Sequence, residues 1–214
     1  MDNTKKNLFI TFEGIDGAGK SSQIQQMYAL LKEEGYSVLL THEPGGTPLG
    51  EKIREILLQK TDLAIEPNAE MILFLAGRSQ HLQEVILPAL RKGQTVLCDR
   101  FNDATRAYQG YGGGLGLDRI EKALKDSDCD LNPDLTFVLD LDLITSKKRR
   151  SIEGDRFENK GDDFLEKVRK GYLDLAKKYP RRIRVINAAL SFDDVFKQIK
   201  ESFYDFSTRE ISSV

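Results

Sequence analysis

The 214-residue chain sets 32 Lys and Arg against 34 Asp and Glu, and its net charge of −2 gives no overall positive field to gather nucleic acid. Hydrophobic residues at 40% and charged residues at 31% supply a core beneath a solvated surface, which excludes a disordered chain. Only Cys98 and Cys129 are present, without C-x-x-C spacing, so neither a disulfide framework nor a zinc site is indicated and a reducing compartment is expected. The opening residues Met1 to Asn7 lack the apolar stretch of a signal peptide. No run approaches the roughly 18 apolar residues that span a bilayer. A soluble cytoplasmic protein with no membrane or nucleic-acid partner is expected.

In chain order, short apolar runs alternate with helical patterns, as in a parallel sheet with crossover helices. Strands are expected near Leu8–Phe12, Ser37–His42, Thr95–Asp99, Leu135–Leu141 and Arg184–Asn187. Helices fit Lys20–Glu34, Pro48–Gln59, Pro67–Lys92, Leu117–Lys125, Leu143–Ser151, Asp163–Tyr179 and Phe192–Phe206. Pro67 suits a first helical position, whereas Pro88 is expected to break or kink its helix. Gly35 and Gly93 stand where helix C-cap glycines belong. The charged stretch 147–163 reads as a surface lid or loop within a single domain, 1–214.

Gly14-Ile15-Asp16-Gly17-Ala18-Gly19-Lys20-Ser21 fits G-x-x-x-x-G-K-[ST] in full, between an expected strand and an expected helix. Glycines let successive N–H groups turn inward on phosphate oxygens, and the following helix adds its positive end. Lys20 then reaches the β- and γ-phosphates of ATP and Ser21 offers a hydroxyl to magnesium, with Ser22 completing the ATP-binding run. Two strand-ending aspartates compete for the metal side, Asp99 and Asp140. Asp99 is favoured because Arg100 follows it directly, while Asp142 after Asp140 suits a helix N-cap. Asn159-Lys160-Gly161-Asp162 spells the guanine-reading N-K-x-D of nucleotide switches, yet the charged residues 153–158 before it cannot form the required strand. The readings in competition are a small-molecule kinase, a nucleotide switch and a larger ATPase.

Phe12 to Ser21, Glu43-Pro44-Gly45-Gly46-Thr47, Asp99-Arg100-Phe101 and Ala107-Tyr108-Gln109-Gly110 occur in an order and spacing that resembles the thymidylate kinase family. Phe74-x-x-x-Arg78 and Asp155-Arg156-Phe157-Glu158 extend the likeness over nearly the whole chain. The resemblance implies a P-loop nucleoside monophosphate kinase fold, α/β with a five-stranded parallel sheet flanked by helices. It further implies a homodimer that uses ATP and magnesium to phosphorylate thymidine monophosphate toward dTTP synthesis. The P-loop has no arginine at Gly17 or Ala18, so the chain looks like the bacterial form with its catalytic arginine in the lid.

By the same resemblance, Phe74 stacks on thymine, while Arg78, Thr105 and Gln109 face the base. Tyr108 sits under the sugar, Arg54 grips the acceptor phosphate, and Asp16 meets the acceptor hydroxyl or a metal-bound water. Lys20, Arg100, Arg149 and Asp16 form the expected catalytic set, Arg100 and Asp16 also belong to the acceptor site, and Ser21, Asp99 and Asp16 form the metal side. Arg150 is an alternative to Arg149. Glu13 reads as a brace for the loop and His42 as structural; Ala104 stands where many relatives carry serine. The chemistry is consistent, since a phosphate acceptor is already anionic and transfer needs surrounding cations more than a base.

Overall fold

A computed structural model describes residues 7–59, 64–149, 156–157 and 160–211. Its centre is a sheet of five parallel strands: β1 Phe9–Glu13, β2 Val38–His42, β3 Thr95–Asp99, β4 Leu135–Asp140 and β5 Ile183–Asn187. They lie in the order β2-β3-β1-β4-β5. Every residue of β1 is buried, as expected of a central parallel strand covered on both faces. The two-residue side-chain period divides the core. Ile10 and Phe12 point with Phe137 and Leu139 toward α1 (Lys20–Glu33) and α9 (Phe192–Ile211). Phe9, Val96 and Cys98 point the other way, toward α3 (Pro67–His81), α4 (Leu87–Arg91) and α6 (Leu117–Asp126). Phe12 and Phe137 meet at 5.2 Å between ring centroids. Burying each of these rings stabilises the fold by about 2 kcal/mol. The remaining helices are α2 (Pro48–Leu58), α5 (Asn102–Thr105), α7 (Leu143–Arg149) and α8 (Asp162–Lys178).

The helix ends follow local chemistry. Gly35 and Gly93, at φ of +81° and +75°, close α1 and α4. Each closure pairs two hydrogen bonds, Tyr36 N–H to Leu31 O with Gly35 N–H to Lys32 O, and Gln94 N–H to Ala89 O with Gly93 N–H to Leu90 O. Asp142 caps α7 by accepting from Thr145 N–H at 2.9 Å. Arg150 and Ser151, also read as helix, lie outside the described residues. Pro88 neither ends the helical run nor stands alone in disturbing it. A π-helical turn, Leu82–Ile86, widens the chain just before it and separates α3 from α4.

One element was not expected. Residues 102–112 form α5 and a π-helical segment, Arg106–Gly112. Asn, Asp and Gly give this stretch little intrinsic helix preference, so tertiary bonds hold it. Asn102 Nδ2 donates to Cys129 O and Leu131 O, and buried Asp103 receives both Nη atoms of Arg182 at 2.6 and 2.9 Å. Register then aligns the strand ends. Phe12 stands opposite Asp99, and His42 opposite Asp99 on the other side. The loops after β1, β2 and β3 therefore open side by side at the carboxyl edge of the sheet, where α/β sheets bind ligands.

Candidate active site

The loop leaving β1 is shaped by its glycines. Gly14 adopts φ +132°, and a Cβ there would stand 2.5 Å from Leu139 O, so only glycine lets the loop pass β4 this closely. α1 starts at Lys20 from Gly19, with no side-chain cap on its first amides. That helix end and the loop form the anion-binding cradle expected of the motif. Lys20 is buried and folds back so that Nζ donates to Ile15 O at 3.2 Å and lies 3.5 Å from Asp16 Oδ1. Burial, then the neighbouring Arg100, lowers the Lys20 ammonium from its ordinary range. Ser21 Oγ donates to Asp99 Oδ2 at 3.1 Å, which joins the two expected metal-side groups. Asp140, the competing aspartate, is instead held by Arg169 at 2.6 and 2.9 Å.

Arg100 lies across the loop. Its backbone takes φ +70°, an unusual conformation for a side-chain-bearing residue. Its Nη1 donates to Gly14 O at 2.9 Å and its Nη2 to Asp16 Oδ1 at 2.5 Å. The guanidinium also faces the Tyr108 ring, 5.1 Å from the centroid. Burial alone would raise the Asp16 carboxyl; Arg100 and then Lys20 hold it well below the usual carboxylate range. Glu13 secures the turn that presents Arg100, accepting from Phe101 N–H at 2.8 Å and from Tyr172 Oη at 2.9 Å. Burial and then Asp103 push the Glu13 carboxyl up to about 8. The brace read in the sequence is thus a fully buried titratable group.

Beside this loop lies a cavity of about 110 Å3 whose lining includes Phe74, Arg78, Ala104, Thr105, Tyr108 and Gln109. Phe74 and Arg78 share the inner face of α3, as their four-residue spacing requires. Arg78 Nε donates to Glu43 Oε2 at 2.7 Å, Nη1 to Thr105 Oγ1 at 2.9 Å and Nη2 to Phe101 O at 3.2 Å. Glu43 also accepts from His81 Nδ1 at 3.0 Å, and His81 Nε2 meets Thr41 Oγ1 at 2.7 Å. A second cavity, lined by Lys20, Ser21, Asp99 and His42 among others, adjoins the first. Asp16, Glu43, Arg54 and Arg100 line both. Arg54 is aimed by its Nη1, which donates to Pro44 O at 2.7 Å. His42 pairs with Glu51, whose carboxylate also receives Gly46 N–H, so it supports the loop as a structural residue.

Arg149 lines neither cavity; its guanidinium donates to Ala188 O and Ala189 O, on the loop after β5. Its alternative Arg150 and much of the expected lid, 150–155 with 158–159, lie outside the described residues. Arg156, Phe157 and Lys160 are described and lie over α3. Arg156 Nη2 and Lys160 Nζ donate to buried Glu70 at 2.6 and 2.9 Å, and Phe157 lines the first cavity beside Phe74 and Tyr108. The N-K-x-D reading gains nothing, because Lys160 binds Glu70 and Asp162 opens α8 while pairing with Lys147. Four residues not singled out from sequence adjoin this region: Phe157 lines the first cavity, while Glu70, His81 and Lys160 contact the lining residues Gln109, Glu43 and Phe157. The legible signal for two of them was spacing: Glu70, Phe74, Arg78 and His81 recur at helical intervals on one face.

A phosphate cradle on a five-stranded parallel sheet, with a second cavity sharing its charged wall, defines a P-loop kinase of the nucleoside monophosphate class. The family model described as Thymidylate kinase matches residues 12–199. The chain is 50% identical over 190 residues to the thymidylate kinase of Pseudomonas syringae pv. tomato, covering 88% of this chain and 90% of that one. It is 44% identical to that of Nitrosospira multiformis, over 91% and 95% of the two chains. The crystal structure of thymidylate kinase from Ehrlichia chaffeensis superposes with a TM-score of 0.76 at 35% identity, covering 93% and 99%. The chain belongs to the thymidylate kinase family.

Proposed function

We propose that this chain transfers the γ-phosphoryl group of ATP to the phosphate of thymidine monophosphate, with the two adjoining cavities holding donor and acceptor. The observation that carries this reading is their common wall of Asp16, Glu43, Arg54 and Arg100, the place where two anionic substrates would meet. In this assignment the loop from Gly14 to Gly19 and the first residues of α1, Lys20 to Ser22, hold the donor phosphates, and Arg54 grips the acceptor phosphate bidentately. Arg100, ordered by Gly14 O and Asp16, faces the transferring group and offsets its charge. Phe74 stacks on the base with Arg78, Thr105 and Gln109 at its edge. Tyr108 closes the sugar side.

The donor set suits magnesium. Ser21 and Asp99 offer hard oxygen ligands 3.1 Å apart on the donor cavity, while Asp16 is already committed to two cations. No cluster of three or more His, Cys, Asp or Glu that would cage a metal occurs among the described residues, which fits an ion completed by phosphate oxygens and water. Magnesium there would neutralise charge on the donor phosphates. No helix among the described residues is long and apolar enough to cross a membrane. A homodimer is supported by Leu49 and Ile56, seven residues apart on α2, and Ile72 on the adjoining α3, each about half exposed. Phe74→Ala tests the base pocket: it is expected to raise KM for thymidine monophosphate about tenfold or more, from a lost stacking contact, with KM for ATP unchanged. An unchanged KM for thymidine monophosphate moves the base elsewhere.

A further inference from the structure

Glu70 has no role in the assignment above, yet it gathers more charge than any other residue of α3. It stands one turn before Phe74, its side chain is only 2% exposed, and it does not line the acceptor cavity. Three groups converge on its carboxylate. Gln109 Nε2 donates to Oε1 at 2.8 Å, and Arg156 Nη2 donates to Oε2 at 2.6 Å. Lys160 Nζ lies 3.2 and 2.9 Å from the two oxygens. Gln109 and Phe157 both line the acceptor cavity. Phe157 is gripped by the same cations, since the Arg156 guanidinium and the Lys160 ammonium lie 4.7 and 4.8 Å from its ring centroid.

We propose that Glu70 is a positioning residue that ties the base-facing amide of Gln109 and the cations flanking Phe157 to one carboxylate, so that both walls of the acceptor cavity are set together. The proposal rests on the acceptor assignment made above. A carboxylate only accepts hydrogen bonds, so it selects one of the two orientations of the Gln109 amide and turns Nε2 toward itself. Oε1 then receives no hydrogen bond from any described residue and is the acceptor the amide has left to offer. That polarity suits a base edge that carries an N–H, as thymine does at N3, and opposes the lone pair that cytosine presents there. Arg156 is fixed further by donation from Nε to Leu57 O at 2.8 Å, which leaves Lys160 as the cation most dependent on Glu70.

The test uses Glu70→Gln, Lys160→Met, the double variant and the wild-type enzyme, with kcat and both KM values measured against thymidine and deoxycytidine monophosphates. Each single variant is expected to raise KM for thymidine monophosphate about tenfold, the scale of a charge-assisted hydrogen bond, with KM for ATP changed less than about twofold. Glu70→Gln frees the Gln109 amide to reverse and is also expected to narrow the preference for the thymidine over the deoxycytidine acceptor. The double variant should be no worse than Glu70→Gln alone, because the lysine acts through the carboxylate. Losses that multiply in the double variant, equal changes in both KM values, or an undiminished preference would overturn the proposal. Should Glu70→Gln not fold, Lys160→Met combined with Gln109→Ala gives the same cycle, and independent effects there count against it. If Phe74→Ala leaves KM for thymidine monophosphate unchanged, the acceptor assignment has failed; if it raises KM while Glu70→Gln does not, only the present proposal has failed.

Discussion

Replacing Glu13 with glutamine is expected to remove a pH dependence of stability built into the centre of the sheet. Glu13 is fully buried at the end of β1, and its carboxyl rises from an ordinary value of 4.5 to about 8 through burial first and Asp103 second. The native state therefore keeps its proton in a range where the unfolded chain has lost it. The stabilising contribution is complete below pH 4.5 and is lost as the pH rises toward 8. Each pH unit in that window removes about 1.4 kcal/mol, and the whole window amounts to about 5 kcal/mol. This is a large part of the 5 to 15 kcal/mol typical of a folded domain, roughly. Glutamine preserves the shape and can still accept from Phe101 N–H while its amide donates to Tyr172 Oη. Urea unfolding of both proteins at pH 5, 6.5, 8 and 9, at one protein concentration, reads the difference. The wild-type midpoint should fall between pH 5 and 8 relative to that of Glu13→Gln. Parallel profiles would refute the reasoning.

Other consequences can be checked with single changes. Lys20→Ala should lower turnover by about a hundredfold to a thousandfold, as for loss of a cation on a transferring phosphoryl group, while Tm shifts little; near-normal activity would remove the phosphate-cradle assignment. Asp103→Asn leaves Arg182 and Arg106 facing a neutral group in a buried site and should cost about 3 kcal/mol in chemical denaturation. It should also lower the Glu13 titration, because Asp103 is one cause of the raised value. Sedimentation at micromolar concentration is expected to give a dimer that Ile72→Lys converts to monomer; an unaltered mass would place the contact on another face.

The strands and most helices were legible because local chemistry and tertiary structure agree on them. β3 is built on the apolar run Val96-Leu97-Cys98 with Thr95 and Asp99 at its ends, and Gly35 and Gly93 stop their helices with the backbone geometry only glycine adopts freely. The helical segment after Arg100 was not legible, since Asn102, Asp103 and the later glycines argue against helix and are overruled by Cys129 O, Leu131 O and Arg182. Gly112 and Gly171 show the same limit, because each exists to admit a side chain of the other element. A Cβ at Gly112 would meet Phe164 and Val168 at 2.7 Å, and one at Gly171 would meet Tyr111 at 2.8 Å. The P-loop, Asp99-Arg100 and the Phe74–Arg78 pair were read from sequence because their chemistry lies in short motifs. Glu70 with Lys160, and His81 with Glu43, act across 90 and 38 positions, and no local pattern records such pairings.

The most direct test of the account is ADP formation from ATP and magnesium with thymidine, deoxyuridine, deoxycytidine or deoxyguanosine monophosphate supplied separately. Acceptor-dependent turnover is expected to be strongest with thymidine monophosphate and weak with the cytidine and guanosine nucleotides. Equal turnover with deoxycytidine monophosphate, or none with any acceptor, would contradict it.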